Sequence, residues 1–406
     1  MSIRWEEVRL SDAPLQIIDG DRGSNYPKKE DFYDNEYCLF LNTKNLTLNG
    51  FDFTECQFIT KEKDEKLRKG KLKRNDLVLT TRGTLGNIAF YDNKIPYEHI
   101  RINSGMVIIR PEEEKISPLF ISFLFENMRD EFLAIGSGSA QPQLPIKDLK
   151  NITIKLPPLK EQEKIAEILS SCNEHIKNLK NLKSELEKEK LHLMNELLSG
   201  KTRFANFTTP WQEVALKDLG EYRRGSFPQP YGNKEWYDGE GSMPFVQVFD
   251  VDDNFKLKPT TLKRISKLAQ PKSIFIPKGS VIITIQGSIG RTAITQYDCY
   301  LDRTLLYFEK FLIPIDKKFF MYALFSVFEV EKLKAPGGTI KTITKEALSD
   351  FKIKLPSLEE QKKIGEVLSA CDERLQCLNE LITAQTTLKS HLLTELLSGN
   401  LRVKDF

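Results

Sequence analysis

The chain has 406 residues, of which 40% are hydrophobic and 29% charged, with a formal net charge of +3. Such a length and balance suit two or more folded domains and exclude a chain disordered throughout. No run of about 18 apolar residues occurs, and Met1 to Glu7 holds no apolar core of signal-peptide length, so the cytoplasm is the expected compartment and no membrane contact is expected. The small net charge means that any phosphate binding must come from local clusters. Six cysteines form no CxxC pair and only four histidines accompany them, which argues against a structural metal site.

In chain order, the first segment opens with Arg4-Trp5-Glu6-Glu7-Val8-Arg9-Leu10. Its densest charge cluster, Lys61 to Arg74, reads either as a solvated loop or as a backbone-contacting one. Short β-rich runs follow at Leu77 to Thr80 and Met106 to Ile109, then a helical apolar segment from Leu119 to Phe132. The second segment opens alike, with Pro210-Trp211-Gln212-Glu213-Val214-Ala215-Leu216. It has strand runs at Val281 to Thr284 and Thr304 to Phe308, and a helical segment from Phe319 to Leu333. Each segment is expected to be a compact α+β domain with a mixed or antiparallel sheet.

Each segment is followed by the same block. IKLPPLKEQEKIAEILSSC, running on to HLMNELLSG and ending at Gly200, returns as IKLPSLEEQKKIGEVLSAC, running on to HLLTELLSG and ending at Gly399. The copies lie about 200 residues apart and align without a gap, so the structural unit is half the chain. After Leu-Pro-x-Leu, proline gives way to helix formers until Ser-Gly, which predicts one long helix per copy. In the second copy Ile364, Leu368, Cys371, Leu375, Leu378, Ile382, Gln385, Lys389, Leu392 and Leu396 step by four and three, the spacing of a coiled-coil seam. The first copy keeps Ile165, Leu169, Cys172, Ile176, Leu179, Leu186, Leu193 and Leu197 on the same stripe. At about 38 residues, each helix would span roughly 57 Å, too long for one small domain. Two similar stripes are most simply buried against each other, antiparallel. Gln385 and Lys389 weaken a dry seam, either fixing register or leaving surface for a partner. The expected fold is therefore α+β: two globular domains of mixed α and β structure, separated by two long antiparallel coiled-coil helices in a pseudo-two-fold repeat. The boundaries are residues 1–155 and 205–354 for the domains, with 156–204 and 355–406 for the central and distal helical regions.

The best candidate contact element is a turn present in both halves, Arg82-Gly83-Thr84-Leu85-Gly86-Asn87 and Gln286-Gly287-Ser288-Ile289-Gly290-Arg291. Glycines would let backbone amides approach a phosphate, and the Thr84 or Ser288 hydroxyl would donate to it. Arg82 and Gln286 are types that read base edges, arginine on guanine and glutamine on adenine. The alternative is a tight hairpin whose glycines only satisfy geometry. A second pair of loops, with Gln141 and Gln143 in one half and Lys341 and Thr342 in the other, carries further donors, unless these are plain linkers.

No catalytic constellation emerges. Gly200-Lys201-Thr202 mimics the end of a phosphate-binding loop, but Asn195 stands where the first glycine belongs, and Gly200 is better read as a helix stop. No HExxH, GxSxG or GxGxxG occurs, and no cofactor is expected.

With these motifs in view, the chain resembles the specificity subunit of a type I restriction-modification system over nearly its whole length. Two domains are each followed by a helical region opening with LPPLKEQ or LPSLEEQ and closing with ELLSG. The resemblance implies a non-enzymatic reader of double-stranded DNA with one target-recognition domain per half of a split sequence. It also implies two modification (methyltransferase) subunits and, in the full complex, restriction (endonuclease/translocase) subunits as partners. Two other readings are a self-contained DNA methyltransferase, which would need a cofactor fold absent from these residues, and a coiled-coil structural adaptor without sequence-specific DNA readout.

Overall fold

The computed structural model describes residues 4–136, 142–334, 343 and 345–403. The chain divides into two compact units, one made of residues 1–179 with 381–406 and the other of residues 180–380. These do not follow the sequence halves, because each long helix is shared between them.

In the first unit a four-stranded antiparallel sheet has the order Leu15–Asp19, Met106–Pro111, Leu77–Thr80, Ile88–Phe90. Leu77–Thr80 is buried at every position, and its side chains alternate between two cores. Leu77 and Leu79 join the helices Pro118–Asn127 and Arg129–Gly136 on one face. Val78 joins a smaller core with Leu39, Leu41 and Ile100 on the other. The continuous apolar run is thus a strand sandwiched between two layers. The second layer is a three-stranded sheet in which Cys38–Leu41 pairs antiparallel with Phe58–Ile59 and parallel with Ile100–Ile102. The single helix expected from Leu119 to Phe132 is two helices, with Met128 capping the first.

The second unit repeats the plan. Gly220–Arg224, Leu305–Phe311, Val281–Thr284 and Thr292–Ile294 form the antiparallel sheet. Val281 and Ile283 face the helix Lys317–Lys334, while Ile282 faces the other layer. That layer has four strands, again with one parallel pair, Met243–Val246 beside Cys299–Leu301.

The long helices run Leu159–Ser199 and Leu358–Ser398, 41 residues each. Gly200 and Gly399 follow at φ of +75° and +80°, the left-handed conformation that ends a helix. In the first unit, Ile165 and Leu169 from the start of one helix share a core with Leu396 and Leu397 from the end of the other. In the second unit the roles reverse, Ile364 and Leu368 meeting Met194 and Leu197. Midway, Leu186, Ile382 and Gln385 are only half-buried. Lys389 leaves the seam to pair with Glu126 at 3.1 Å, and its repeat equivalent Lys190 pairs with Asp372. The seam lysines are tethers to neighbouring carboxylates.

Each helix is also clasped at its start by the EQ pair of the repeated motif. Glu161 is fully buried and accepts both Arg402 nitrogens at 2.8 Å and the Trp5 indole N–H at 3.2 Å. Glu360 accepts Arg203 at 2.9 and 2.8 Å and Trp211 at 3.2 Å. Gln162 accepts the backbone N–H of Ser117 at 2.9 Å and donates to the Pro157 carbonyl, while Gln361 does the same with Asp316 and Pro356. The motif is therefore a structural latch. Its glutamate ties the tryptophan that opens the same segment to an arginine beyond the other helix, and its glutamine ties the helix start to the domain preceding it.

Candidate nucleic-acid interface

The repeated turn is built identically in the two units. The threonine that ends each central strand, Thr80 or Thr284, is fully buried. Its Oγ1 donates to the carbonyl of Thr84 or Ser288 and accepts the N–H of Asn87 or Arg291 at 3.0 Å. The backbone closes with Gly86 N–H to Thr80 O at 3.0 Å and Gly290 N–H to Thr284 O at 2.9 Å. Gly83, Gly86, Gly287 and Gly290 all lie at φ between +72° and +87°, so geometry alone requires these glycines. The frame leaves Arg82, Gly83, Thr84, Gly287 and Ser288 exposed and Gln286 half-exposed.

A second turn supports the first from below. In one unit it is Thr43–Asn45, which follows the strand Cys38–Leu41; in the other it is Val248–Asp250, which follows Met243–Val246. Asn45 and Asp250 lock these turns by accepting the N–H of Asn42 and Gln247 at 2.9 and 2.8 Å. A Cβ on Gly83 would lie 3.0 Å from the Thr43 hydroxyl, and one on Gly287 would lie 3.6 Å from Val248. The Thr84 hydroxyl donates to the Thr43 carbonyl at 2.9 Å, so it braces the turn instead of being aimed outward as the sequence suggested.

The second loop converges on the same place. Gln143 is exposed and forms a β-bridge with Arg82, and Leu144 N–H donates to Thr81 O at 2.9 Å. In the other unit Ile343 N–H donates to Ile285 O at 3.3 Å. Gln141, Lys341 and Thr342 lie outside the described residues. Among the described residues, the side chains of Arg82, Gln143, Gln286 and Ser288 have no hydrogen-bond or ionic partner, so their donors and acceptors are available. Arg291 is different: its guanidinium is fixed to Asp253 at 2.8 Å and to the Val251 carbonyl at 3.2 Å. Its equivalent Asn87 donates to the Leu46 carbonyl at 2.8 Å. Both anchor the upper turn to the lower one, and Arg291 is better placed among the supports than among the contacts.

Residues missed from the sequence are Lys44 and Phe249, at matching positions of the lower turns and both exposed. The signal was a weak echo, Phe40-Leu41-Asn42-Thr43-Lys44-Asn45 against Phe245-Val246-Gln247-Val248-Phe249-Asp250. Most of the cluster from Lys61 to Arg74 is exposed, but two of its residues tie it to the fold. Asp64, at 1% exposure, pairs with Arg101 and Lys71, and Arg74 donates to the carbonyls of Asp92, Ile95 and Tyr97. Burial alone would raise the Asp64 carboxyl, but hydrogen bonds from Lys71 and Arg101 outweigh it and hold the pKa below the ordinary value.

Two exposed polar frames on matching architectures, differing mainly in the side chains they present, are what a pair of sequence readers requires. The family model of the type I restriction modification DNA specificity domain matches residues 3–188 and 208–385. The chain belongs to that family. It is 25% identical to the type I restriction enzyme MjaVIII specificity subunit of Methanocaldococcus jannaschii, over 99% of this chain and 94% of that protein. In fold it is similar to a chain from a structure of the assembly and conformational transition of a type I restriction-modification system. That match has a TM-score of 0.63 and 22% identity and covers 98% of both chains. It is also similar to the S subunit of the M. genitalium type I system, with a TM-score of 0.58 and 15% identity over 98% and 96% of the two chains. The chain is thus a DNA-specificity subunit of the type I restriction-modification class, and no described helix is long and apolar enough to cross a membrane.

Proposed function

We propose that each domain reads one half of a split double-stranded DNA target through its upper turn, with Arg82 and Gln143 in the first reader and Gln286 and Ser288 in the second. The observation that carries this reading is that Arg82 and Gln286 stand on frames closed by the same threonine and glycine hydrogen bonds. The backbone is held constant by a buried threonine and positive-φ glycines, while the side chain changes from one that bonds guanine to one that bonds adenine. Gly83 and Gly287 leave their amides open to a phosphate, positioning the reader without specifying sequence.

Chemistry is then supplied by partners: two modification subunits, one per pseudo-equivalent half, and restriction subunits in the full complex, acting in the cytoplasm where the DNA lies. The described residues hold no cluster of three or more metal-ligating side chains. Titrating the isolated chain with labelled S-adenosylmethionine checks that the cofactor belongs to a partner; saturable binding would point to a self-contained methyltransferase.

The direct test of the readout is Arg82→Gln in the assembled complex, followed by selection from random duplexes. A relaxed or switched first half-site with the second unchanged is the expected outcome, at a cost of about 1–3 kcal/mol for the lost guanine pair. An unaltered motif would remove Arg82 from the base contacts, and no enrichment by the unmodified complex would favour a structural adaptor.

A further inference from the structure

The lower turn of the second reader carries a side chain that no part of the fold accounts for. Phe249 is 67% exposed, although its neighbours Val248 and Asp250 are 8% and 1% exposed. It does not sit on a loose loop. Asp250 accepts the N–H groups of Gln247 and Leu262 at 2.8 Å each, and its own carbonyl accepts Lys258 N–H at 2.8 Å. Val248 packs beneath Gly287. The ring is therefore presented to solvent by a hydrogen-bonded turn whose preceding residue, Val248, lies against Gly287 of the upper turn. The matching position in the first reader is Lys44, exposed and without a side-chain partner among the described residues. One frame thus presents a cation where the other presents a large apolar ring.

On the reading that the upper turns face DNA, we propose that Phe249 is a specificity-determining residue of the second half-site, meeting the C5 methyl group of a thymine in the major groove. A phenyl ring neither neutralises a phosphate nor hydrogen-bonds a base edge. The one apolar feature among the base edges of the major groove is the thymine methyl. Covering the ring with that methyl removes apolar surface of both partners from water, the same gain that drives burial in a protein core. Lys44, in contrast, has the chemistry for a phosphate or a guanine edge, so the lower turns diversify the two readers as the upper turns do.

The test uses the chain assembled with its modification subunits. Random-duplex selection first defines both half-sites, and each thymine of the second half-site is then replaced in turn by deoxyuridine, which lacks only the methyl group. At one position the dissociation constant should rise about three- to five-fold. That ratio should fall to one in Phe249→Ala and persist in part in Phe249→Leu. First-half-site discrimination should be unchanged in both variants, which also shows that they fold. A second half-site with no thymine on either strand, a ratio of one at every thymine, or an undiminished ratio in Phe249→Ala would each overturn the assignment. Failure to select any split sequence would instead defeat the function on which it rests.

Discussion

The latch at the start of each long helix gives the sharpest structural prediction, because it joins residues far apart in the chain through a carboxylate with no access to solvent. Arg402→Ala leaves Glu161 fully buried with the Trp5 indole as its remaining partner. Breaking a buried ion pair from one side costs about 3–5 kcal/mol. The Arg402 side chain is 28% exposed, and water will enter the space it leaves, so about 2–4 kcal/mol is the expected loss. For a unit of this size that is a fall of about 5–12 °C in the Tm of its transition. The second unit has its own latch, Glu360 with Arg203 and Trp211, and should be untouched. Hydrogen exchange followed by mass spectrometry separates the two, since faster exchange should be confined to residues 4–179 and 381–403. Arg402→Lys, which keeps the charge but loses the two-pronged geometry, should fall between. If Arg402→Ala leaves exchange in the first unit unchanged, or loosens both units equally, the latch is not what holds that helix start in place.

Acid should weaken the first unit. Asp64 has a folded pKa below its ordinary 3.8, so the unfolded chain binds the proton more tightly, and this contribution is complete above that value and lost as pH falls below it. Asp64→Asn should flatten that limb of a stability-against-pH curve and cost about 3–5 kcal/mol at neutral pH, because it strands the buried Arg101; urea titrations across pH measure both. Thiol labelling of the native chain should find Cys377 fast and Cys38 and Cys299 silent until unfolding. Cys377 is exposed, whereas burial pushes each of the other two thiols up to about 12. Thr284→Val should loosen the second upper turn, removing one bond to Ser288 and one from Arg291, with a loss of about 1–3 kcal/mol and blurred selection at the second half-site alone. Because each long helix is shared between the two units, adding one helical turn to both should change the permitted spacer between half-sites while leaving each half-site intact; the same selection reads this out, and an unchanged spacer would show that helix length does not set it.

What was legible in the sequence was what repeats or has a period. The long helices, their glycine stops and the strand–Gly–x–x–Gly turn each carry a local pattern that needs no knowledge of the rest of the chain. What was hidden depends on pairs distant in sequence. Nothing local announces that Arg402 belongs to Glu161, that the Thr84 hydroxyl is taken by Thr43, or that Arg291 braces a turn through Asp253. Most of Lys61 to Arg74 is exposed, as a solvated cluster would be, but composition cannot show that Asp64 within it is buried with Arg101. Lys389 looked like a flaw in the seam because its partner Glu126 lies on a different element. The candidate contacts on the upper turns were visible, but their supports on the lower turns appear only when the layers are assembled.

On the proposed function, two unlike readers on one chain define a split DNA target whose modification is carried out by other subunits. Sequencing methylated sites in a cell that carries this chain with its cognate modification subunit tests it most directly. Methylation confined to a bipartite motif with an unread spacer, and absent when either component is omitted, is the predicted result. Methylation at a single contiguous motif, or persisting with this chain alone, would contradict it.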